Sequence, residues 1–306
     1  MSSLLHRQSL NQITSRLFLV GCARSGTTLL QSLLASHPLV ASFPESNFFN
    51  HLFPHSEPKR RFLGLASRRA KSRWINFLSE SGFEQYPPSL LAVSPNRLTS
   101  HFVKTLDLLS IQQRKTIWLE KTPSHLHHID FIVQRVPQSK FIHIIREGKD
   151  AVASLYDVRK KYPKQWPNEP ASVELSVERW LKDASTSLRY IGHSAHMLIR
   201  YENLVASPEA VLKQLCHFIE VDFAAQMLSQ YATTARQVSL TREPWKVGVA
   251  KPIQNANSTK FYTLFSQSQQ DYVLEHTSSI DLNALLPVED FQSRLDEDAS
   301  SVPSAA

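Results

Sequence analysis

The stretch that decides the fold is Leu17-Phe-Leu-Val-Gly-Cys-Ala-Arg-Ser-Gly-Thr-Thr-Leu-Leu30. Its apolar first half predicts a buried strand. Its second half predicts a turn bounded by glycines, followed by a helix that begins at the threonines. A helix that begins there directs free backbone N–H groups and the positive end of its dipole at one point. The stretch therefore predicts a binding site for phosphate or sulfate.

The spacing within this turn indicates which anion it suits. Gly21 is followed by four residues, and then by Gly26, Thr27 and Thr28. A loop that binds ATP or GTP has a lysine after the second glycine, which reaches the terminal phosphates. Here Thr27 holds that position, and the nearest cation is Arg24, inside the turn. The loop favours an anion other than a magnesium-bound triphosphate. A P-loop kinase or NTPase stays the rival enzyme, and a fortuitous turn is the structural alternative.

Apolar runs and helical patterns alternate along the chain, as they do in α/β proteins. Strands are predicted at residues 16–20, 39–43, 117–120, 140–146 and 197–201. Helices are predicted at 26–36, 59–80, 97–110, 124–135, 149–161 and 171–191, from Pro208 onward, and at 267–278, with irregular structure over 236–262. This order predicts an α/β fold with a parallel sheet flanked by helices on both faces, and with ligands at the carboxyl ends of the strands. We expect one domain over 16–290, between a flexible lead-in at 1–15 and an acidic, disordered tail at 291–306.

The run Gly21-Cys-Ala-Arg-Ser-Gly-Thr-Thr28 resembles the loop that binds 5′-phosphosulfate in sulfotransferases. It is most similar to the form in tyrosylprotein sulfotransferases and their bacterial relatives. The resemblance implies a P-loop-type sheet and transfer of a sulfuryl group to an acceptor hydroxyl. The implied donor is 3′-phosphoadenosine-5′-phosphosulfate (PAPS), which leaves as the desulfated product PAP. The implied donor-binding residues of the loop are Arg24, Ser25, Gly26, Thr27 and Thr28.

A second segment resembles the part of sulfotransferases that binds the 3′-phosphate of the donor. It is Lys140-Phe-Ile-His-Ile-Ile-Arg-Glu-Gly-Lys-Asp-Ala-Val-Ala-Ser154, in which Arg146 and Ser154 hold the matching positions. The planar fork of an arginine suits phosphate oxygens, and a serine hydroxyl in the following helix can reach the same group. The alternative is that Arg146 only pairs with a neighbouring carboxylate, Glu147 or Asp150.

Two residues are candidates for the transfer chemistry itself, together with Arg24. Glu45 lies 21 positions after Arg24, which is the spacing of the catalytic glutamate in tyrosylprotein sulfotransferases. A carboxylate beside cations can take the proton of an acceptor hydroxyl, although Glu45 would also suit a helix cap or an ion pair. Lys121 ends a predicted core strand, where a charge is costly unless it faces a polar cleft. By resemblance, Lys121 contacts the transferred group.

Histidines follow Lys121 closely, but the pattern favours neither a histidine base nor a metal. Cytosolic small-molecule sulfotransferases have their base two residues after such a lysine, where this chain has Pro123. His125, His127 and His128 have no convincing third ligand nearby, so no metal is expected. His125 stays a back-up base.

The last matches lie in the second half of the chain. Ile199-Arg-Tyr-Glu-Asn-Leu-Val205 resembles the segment in which a tyrosine lies against the nucleotide, which makes Tyr201 a candidate, with a core tyrosine as the alternative. Lys251 and Lys260 have the spacing of the C-terminal loop whose lysine closes over the 5′-phosphosulfate. Phe261 stands where the family often has tryptophan, and a solvated loop lysine is the alternative for Lys260.

Composition limits the class of protein and its partners. The formal net charge is +7, and seven cations with no acid lie within residues 59–73. That run predicts a solvated helix face or a surface that attracts an acidic acceptor. Nucleic acid is not expected as a partner, because no motif supports it. No apolar run reaches the length of a membrane span, and the two cysteines, Cys22 and Cys216, suit a reducing compartment, so we expect a cytoplasmic protein.

The acceptor is the least determined partner. A small-molecule, carbohydrate, lipid or peptide hydroxyl fits the residues equally well, because residues 51–115 carry only a loose resemblance. The oligomeric state stays open, a homo-oligomer included. The alternative to an enzyme is a module that binds a nucleotide without catalysing a reaction.

Overall fold

The computed structural model describes residues 12–165, 170–237, 253, 259–283 and 285. Its five described strands are β1 Ser15–Gly21, β2 Val40–Ser42, β3 Ile117–Lys121, β4 Ser139–Ile145 and β5 His196–Arg200. They form one parallel sheet in the order β2-β3-β1-β4-β5. The predicted α/β architecture with a parallel sheet is confirmed.

The helices connect these strands and cover the sheet. In chain order, those of the described residues are α1 Thr27–Ala35, α2 Phe48–Leu52, α3 Pro58–Phe62, α4 Arg68–Glu80, α5 Pro95–Gln112, α6 Ile129–Arg135, α7 Gly148–Lys161, α8 Val173–Leu188, α9 Tyr201–Ala206, α10 Pro208–Phe218, α11 Gln226–Gln237, α12 Thr259–Leu264 and α13 Gln267–Thr277. Two short 3₁₀ turns, Pro123–His128 and Pro163–Gln165, complete them.

Both faces of the sheet are buried, which explains the continuous apolar runs of its strands. Side chains alternate along β1, so Leu17 and Leu19 lie in the core beneath α1, α10 and α11. Phe18 and Val20 lie on the opposite face, in an aromatic core with Trp118. A third cluster, between α7, α8 and the C-terminal helices, surrounds Trp180.

The register of the sheet brings the predicted site elements to one edge. β1 lies at the centre, with Leu19 opposite Lys121 of β3 and Gly21 opposite Ile144 of β4. The turn after β1, the end of β3 and the start of α7 therefore meet at the carboxyl edge of the sheet. This is the edge at which parallel α/β sheets bind ligands.

The structure corrects two of the predicted helices and part of one stretch that was predicted to be irregular. The helix predicted over 59–80 is broken at Gly64, whose φ of +64° ends α3 in a left-handed turn before α4 begins. The helix predicted over 124–135 begins as a 3₁₀ turn. Of the stretch predicted to be irregular, residues 236–237 belong to α11 and residues 259–262 belong to α12. The remainder of the predicted irregular stretch from 238 to 258, except residue 253, lies outside the described residues.

The predicted domain limits are not tested by these elements. β1 begins at Ser15, one residue before the predicted start of the domain. Most of the lead-in and the whole tail at 291–306 lie outside the described residues.

Candidate active site

The turn after β1 is shaped by two glycines that have no room for a side chain. Gly21 has a φ of +138°, and a Cβ atom there would lie 2.4 Å from the carbonyl oxygen of Ile144. Gly26 has a φ of +93° and caps the N-terminus of α1, and its Cβ would lie 2.4 Å from Cδ2 of Tyr201. Between them the buried Ser25 hydroxyl has no hydrogen-bond partner in the described part of the chain. The turn thus presents backbone amides and a spare hydroxyl at a helix N-terminus, which suits an anion.

Arg24 stands in the middle of this turn beside a second cation. Its backbone is left-handed, with a φ of +73°, and its Nε donates to Ser154 Oγ at 3.4 Å. Nη1 of Arg146 lies 3.5 Å from the carbonyl oxygen of Arg24. Burial and the positive charge of Arg146 lower the pKa of Arg24, against the opposing effect of Asp157 and Glu45. Two positive charges that repel each other in this way favour an anion nearby.

Arg146 is fixed by aromatic neighbours. Its guanidinium carbon lies 4.5 Å from the ring centroid of Tyr201, a cation–π contact. The indole Nε1 of Trp180 donates to the carbonyl oxygen of Arg146 at 3.0 Å. The alternative partner Glu147 pairs instead with Arg200, at 2.5 Å. The structure therefore brings together Arg24, Arg146, Ser154 and Tyr201, which the sequence predicted from three separate segments.

Glu45 and Lys121 form an ion pair next to this loop. Lys121 Nζ lies 2.6 Å from Glu45 Oε2, and the side chains are 1% and 21% exposed, respectively. Asn47 Nδ2 approaches the second carboxylate oxygen at 3.5 Å. The pair lines a cavity of about 480 Å³ that Thr27 and Thr28 of the loop also line. The cationic side chains that line this cavity are Arg24, Lys121, Arg159, Arg179 and Lys182.

A buried network beneath Glu45 holds its backbone in place. The Glu120 carboxylate accepts hydrogen bonds from Ser46 Oγ at 2.6 Å and from Thr122 Oγ1 at 2.7 Å. Thr122 Oγ1 in turn accepts a bond from the backbone N–H of Asn47 at 3.1 Å. Burial raises the pKa of Glu120, but His125 and these hydroxyls outweigh it and lower the pKa overall. The network fastens the residues that follow Glu45 to the end of β3.

The position of His125 makes the prediction of a back-up base wrong. Its ring is fully buried, with Nδ1 2.9 Å from the Glu120 carboxylate. Its Nε2 accepts a hydrogen bond from the backbone N–H of Phe49 at 3.1 Å. Both ring nitrogens are therefore used inside the protein, and neither is available to an acceptor.

The other two histidines lie on the wall of the cavity. His127 Nε2 lies 2.7 Å from the buried Asp183 carboxylate. His128 stacks against Phe53, with ring centroids 5.5 Å apart, and burial with the nearby His125 lowers its pKa to about 4. Across the described ranges, no group of three or more His, Cys, Asp or Glu side chains is arranged to hold a metal ion.

Lys260 contacts α7 by an ion pair with Asp157, a residue that the sequence analysis did not single out. Its Nζ is 2.6 Å from Asp157, which also pairs with Lys161 at 3.0 Å. These two cations lower the pKa of Asp157 although its burial opposes the shift. Asp157 lies one helical turn beyond Ser154 and also acts electrostatically on Arg24. Lys251, the other lysine of this motif, lies outside the described residues.

Comparison with known proteins agrees with this fold. The profile of the sulfotransferase family matches residues 16–225. A putative protein-tyrosine sulfotransferase of Caenorhabditis briggsae is 24% identical over 259 residues, which cover 83% of this chain and 81% of the relative. Protein-tyrosine sulfotransferase A of Caenorhabditis elegans is 24% identical over 258 residues, or 79% of this chain and 60% of that protein.

Solved structures show the same architecture. The sulfotransferase domain of the Synechococcus olefin synthase superposes with a TM-score of 0.53 and 22% identity, covering 88% of this chain and 95% of the domain. A mouse sulfotransferase complexed with PAP has a TM-score of 0.50 and 14% identity, covering 88% of this chain and 86% of that chain. These likenesses concern the fold.

The fold and the edge at which the cations gather define an α/β protein with a site suited to an anion. The family match identifies it further: the chain belongs to the sulfotransferase family, which uses PAPS as its donor. The predicted family, fold class and enzyme class are confirmed, and the kinase and non-catalytic alternatives are set aside. Within the described segments, no helix combines the length and the apolar character needed to cross a bilayer.

Proposed function

We propose that this sulfotransferase binds PAPS between the Gly21–Thr28 loop and Arg146, and transfers its sulfuryl group to an acceptor hydroxyl with Glu45 as the general base. The observation that carries the proposal is the Lys121–Glu45 pair, at 2.6 Å, on the wall of a cavity shared with Arg24 and the loop threonines. A carboxylate, fixed cations and a loop that suits an anion are thus adjacent.

The cations suit the charge of the donor. A phosphate monoester carries about −1.5 to −2 charges at neutral pH, and the phosphosulfate adds to this. Arg146 and Ser154 bind the 3′-phosphate, while the amides and hydroxyls of Ser25 to Thr28 bind the 5′-phosphosulfate. Tyr201, whose ring lies against both Gly26 and Arg146, flanks the nucleotide. Lys260 closes over the 5′ side, exchanging or sharing its bond to Asp157.

Transfer follows an in-line displacement. The acceptor oxygen attacks sulfur as its proton passes to Glu45, the new O–S bond forms, and the bond from sulfur to the bridging oxygen breaks. That oxygen leaves with the electron pair, so negative charge grows on the 5′-phosphate of PAP. Arg24 and Lys121 stabilise this charge from fixed positions, which lowers the barrier. No metal ion is part of this proposal.

The acceptor is a hydroxyl compound that enters the cavity beside Glu45, of small-molecule, carbohydrate, lipid or peptide nature. The relatives named protein-tyrosine sulfotransferases support a peptide tyrosine as the first acceptor to test. The cationic lining of the cavity favours an acceptor with negative charge near its hydroxyl. A cytoplasmic location belongs to the proposal too, supported by two cysteines, Cys22 and Cys216, that are buried and unbridged.

The experiment is transfer of radiolabelled sulfate from PAPS onto a panel of peptide, sugar and lipid hydroxyls, with the parent protein and Glu45→Gln. The variant keeps the shape of the side chain but cannot accept a proton, so we expect transfer to fall to background while PAP still binds in calorimetry. Glu209→Gln, on the exposed face of α10 where Glu209 pairs with Lys213, is the matched control and should transfer at the parental rate.

Two results would contradict the proposal. A loss of PAP affinity in Glu45→Gln as large as its loss of sulfate transfer would assign Glu45 to the donor rather than to the acceptor. Binding of ATP in preference to PAP by the parent protein would remove the basis for the 3′-phosphate site.

A further inference from the structure

The most exposed large hydrophobic side chains of the described residues come from two neighbouring segments. They are Phe62, Leu90, Leu91 and Leu63, at 91%, 86%, 72% and 64% exposure. Phe62 ends α3 and Leu63 follows it, while Leu90 and Leu91 precede α5. Apolar side chains so exposed in one region mark an interaction surface rather than ordinary surface variation.

Hydrogen bonds hold the two segments side by side. The backbone N–H of Ala66 donates to the carbonyl oxygen of Val93 at 2.9 Å. Lys71 Nζ, on α4, donates to the carbonyl oxygen of Ser89 at 3.0 Å. Beneath them α4 buries Trp74 and its neighbours in the main core, so the two apolar tips stand on a fixed support. We call the surface formed by residues 59–73 and 89–93 the basic apolar surface.

Cations surround the apolar tips. Five exposed ones lie on the basic apolar surface: Lys59, Arg61, Arg68, Arg69 and Arg73. No acidic residue lies between Pro58 and Ser79. The nearest upstream carboxylate, Glu57, is engaged by Arg68 at 3.4 Å and Arg60 at 3.7 Å. The surface thus combines a high density of positive charge with side chains that gain by leaving water.

This combination selects among polyanionic partners. A nucleic acid would use the cations but would leave aliphatic tips such as Leu90 and Leu91 in water. An acidic protein is the competing partner, since arginine is enriched in protein interfaces, and the experiment below distinguishes it from a membrane. An anionic bilayer satisfies both features, because its headgroups attract the cations while aliphatic and aromatic side chains enter the acyl boundary.

We infer that the basic apolar surface docks this sulfotransferase on a membrane that contains anionic lipids, with Phe62, Leu63, Leu90 and Leu91 inserted below the headgroups. A second cavity, of about 740 Å³, lies along this surface and is lined by Lys59, Arg60, Arg68 and Arg69. Asn50 lines both this cavity and the one beside Glu45. The two cavities are therefore neighbours at Asn50. The inference does not depend on the proposed roles of Glu45 or the donor-binding residues.

The test is sedimentation of the full chain with vesicles of phosphatidylcholine, alone or mixed with phosphatidylglycerol. We expect binding to the mixed vesicles only, and weaker binding as salt rises. Each cation near an anionic surface contributes about 1 kcal/mol, which is about fivefold in partitioning. Arg68→Gln should thus weaken binding about fivefold, and the joint variant Phe62→Ser, Leu63→Ser, Leu90→Ser, Leu91→Ser should weaken it at least tenfold.

Control variants replace exposed side chains elsewhere, with Val133 at 52% and Leu274 at 44% exposure. Val133→Ser with Leu274→Ser removes apolar side chains of α6 and α13, and Lys213→Gln with Arg189→Gln removes distant cations. Both pairs should bind vesicles as the parent does. All variants should bind PAP equally in calorimetry, which separates loss of docking from loss of folding.

Insertion can be read directly from the tryptophan fluorescence of Phe62→Trp in vesicles with brominated lipids. The bromine atoms should quench the fluorescence added by the new indole in anionic vesicles only. Equal binding to neutral and anionic vesicles would overturn the inference. So would parental binding by the joint serine variant. Binding to an acidic peptide or to RNA without binding to vesicles would assign the surface to that partner instead.

Discussion

Replacement of Glu120 should lower both stability and turnover, because this residue holds the backbone next to the proposed base in place. The carboxylate is 2% exposed and takes bonds from Ser46 and Thr122, with His125 at 2.9 Å. Ser46 directly follows Glu45, so these bonds also fix the backbone that carries the proposed base. Glu120 acts through the residues that it holds and is therefore a positioning residue.

The magnitudes follow from this geometry. Glu120→Ala leaves a buried histidine and two hydroxyls without their partner, which costs about 3–5 kcal/mol. That is a large fraction of the roughly 5–15 kcal/mol that stabilises a typical folded protein. Glu120→Gln keeps the shape and one acceptor oxygen, so it should cost about 1–3 kcal/mol and leave a folded enzyme. Because a misplacement of about 1 Å costs about 10²-fold in rate, we expect kcat of Glu120→Gln to fall by that factor.

Three measurements check this prediction: urea unfolding, sulfate transfer at saturating PAPS, and PAP affinity by calorimetry. The matched control is Asp107→Asn, which changes an equally buried carboxylate at the opposite end of the strands. Asp107 accepts bonds from Arg16 and Trp118 at the starts of β1 and β3. The control should lose stability but keep kcat. Parental turnover by folded Glu120→Gln, or an equal loss of kcat in Asp107→Asn, would refute the reasoning.

Three further predictions concern the loop, the 3′-phosphate and pH. Gly26→Ala should weaken PAP binding by about 1–3 kcal/mol, because the new Cβ displaces the Tyr201 ring. The control is Gly64→Ala: Gly64 also has a positive φ, but a Cβ there meets open space, so this variant should bind PAP normally. Arg146→Ala should weaken PAPS much more than adenosine 5′-phosphosulfate in competition binding; an equal effect on both would end the 3′ assignment. Burial lowers the pKa of His143 to about 3, so the unfolded chain alone takes up its proton below pH ~6.5. The free energy of unfolding should therefore fall as the pH is lowered, by about 2 kcal/mol for this residue at pH 5. Urea unfolding of His143→Asn should show a smaller loss of stability between pH ~7 and pH ~5 than the parent protein shows.

Much of the fold was predictable because its signals are local. The buried parallel strands are short apolar runs, and each is followed by a turn residue or a helix start within a few positions. The limits of β1 and α1 differ from their predictions by one residue at each end. The split of the helix predicted over 59–80 was harder to predict. Gly64 ends α3 because its backbone is left-handed, and a glycine in a sequence does not by itself reveal its φ.

The candidate site was predictable to the extent that its motifs lie at strand ends. Arg24 and Ser154 are 130 positions apart, yet both follow strands that are neighbours in the sheet. Their roles toward a donor stay a prediction, since the hydrogen bond that joins them is between protein atoms. His125 was misjudged because the sequence does not reveal that its two ring nitrogens face Glu120 and the Phe49 amide.

Asp157 and Glu120 carried weak sequence signals. Asp157 is one of several charged residues on α7, and only the packing of α12 against that helix singles it out as the partner of Lys260. Glu120 precedes Lys121 on a buried strand, where a carboxylate requires partners. That cost could have indicated a network, but not which residues supply it.

By itself, the sequence determined the strand, turn and helix around Gly21 and Gly26, the alternation that yields an α/β sheet, and the cations that follow its strands. These features depend on interactions within about ten residues, such as helix capping and the backbone freedom of glycine. Only the tertiary structure decided that Tyr201 lies against Gly26, that Glu45 meets Lys121, and that the segments around Ala66 and Val93 are hydrogen-bonded to each other. The physical reason is that such contacts arise from the strand order β2-β3-β1-β4-β5 and from the packing of distant helices, which no local pattern of residues specifies.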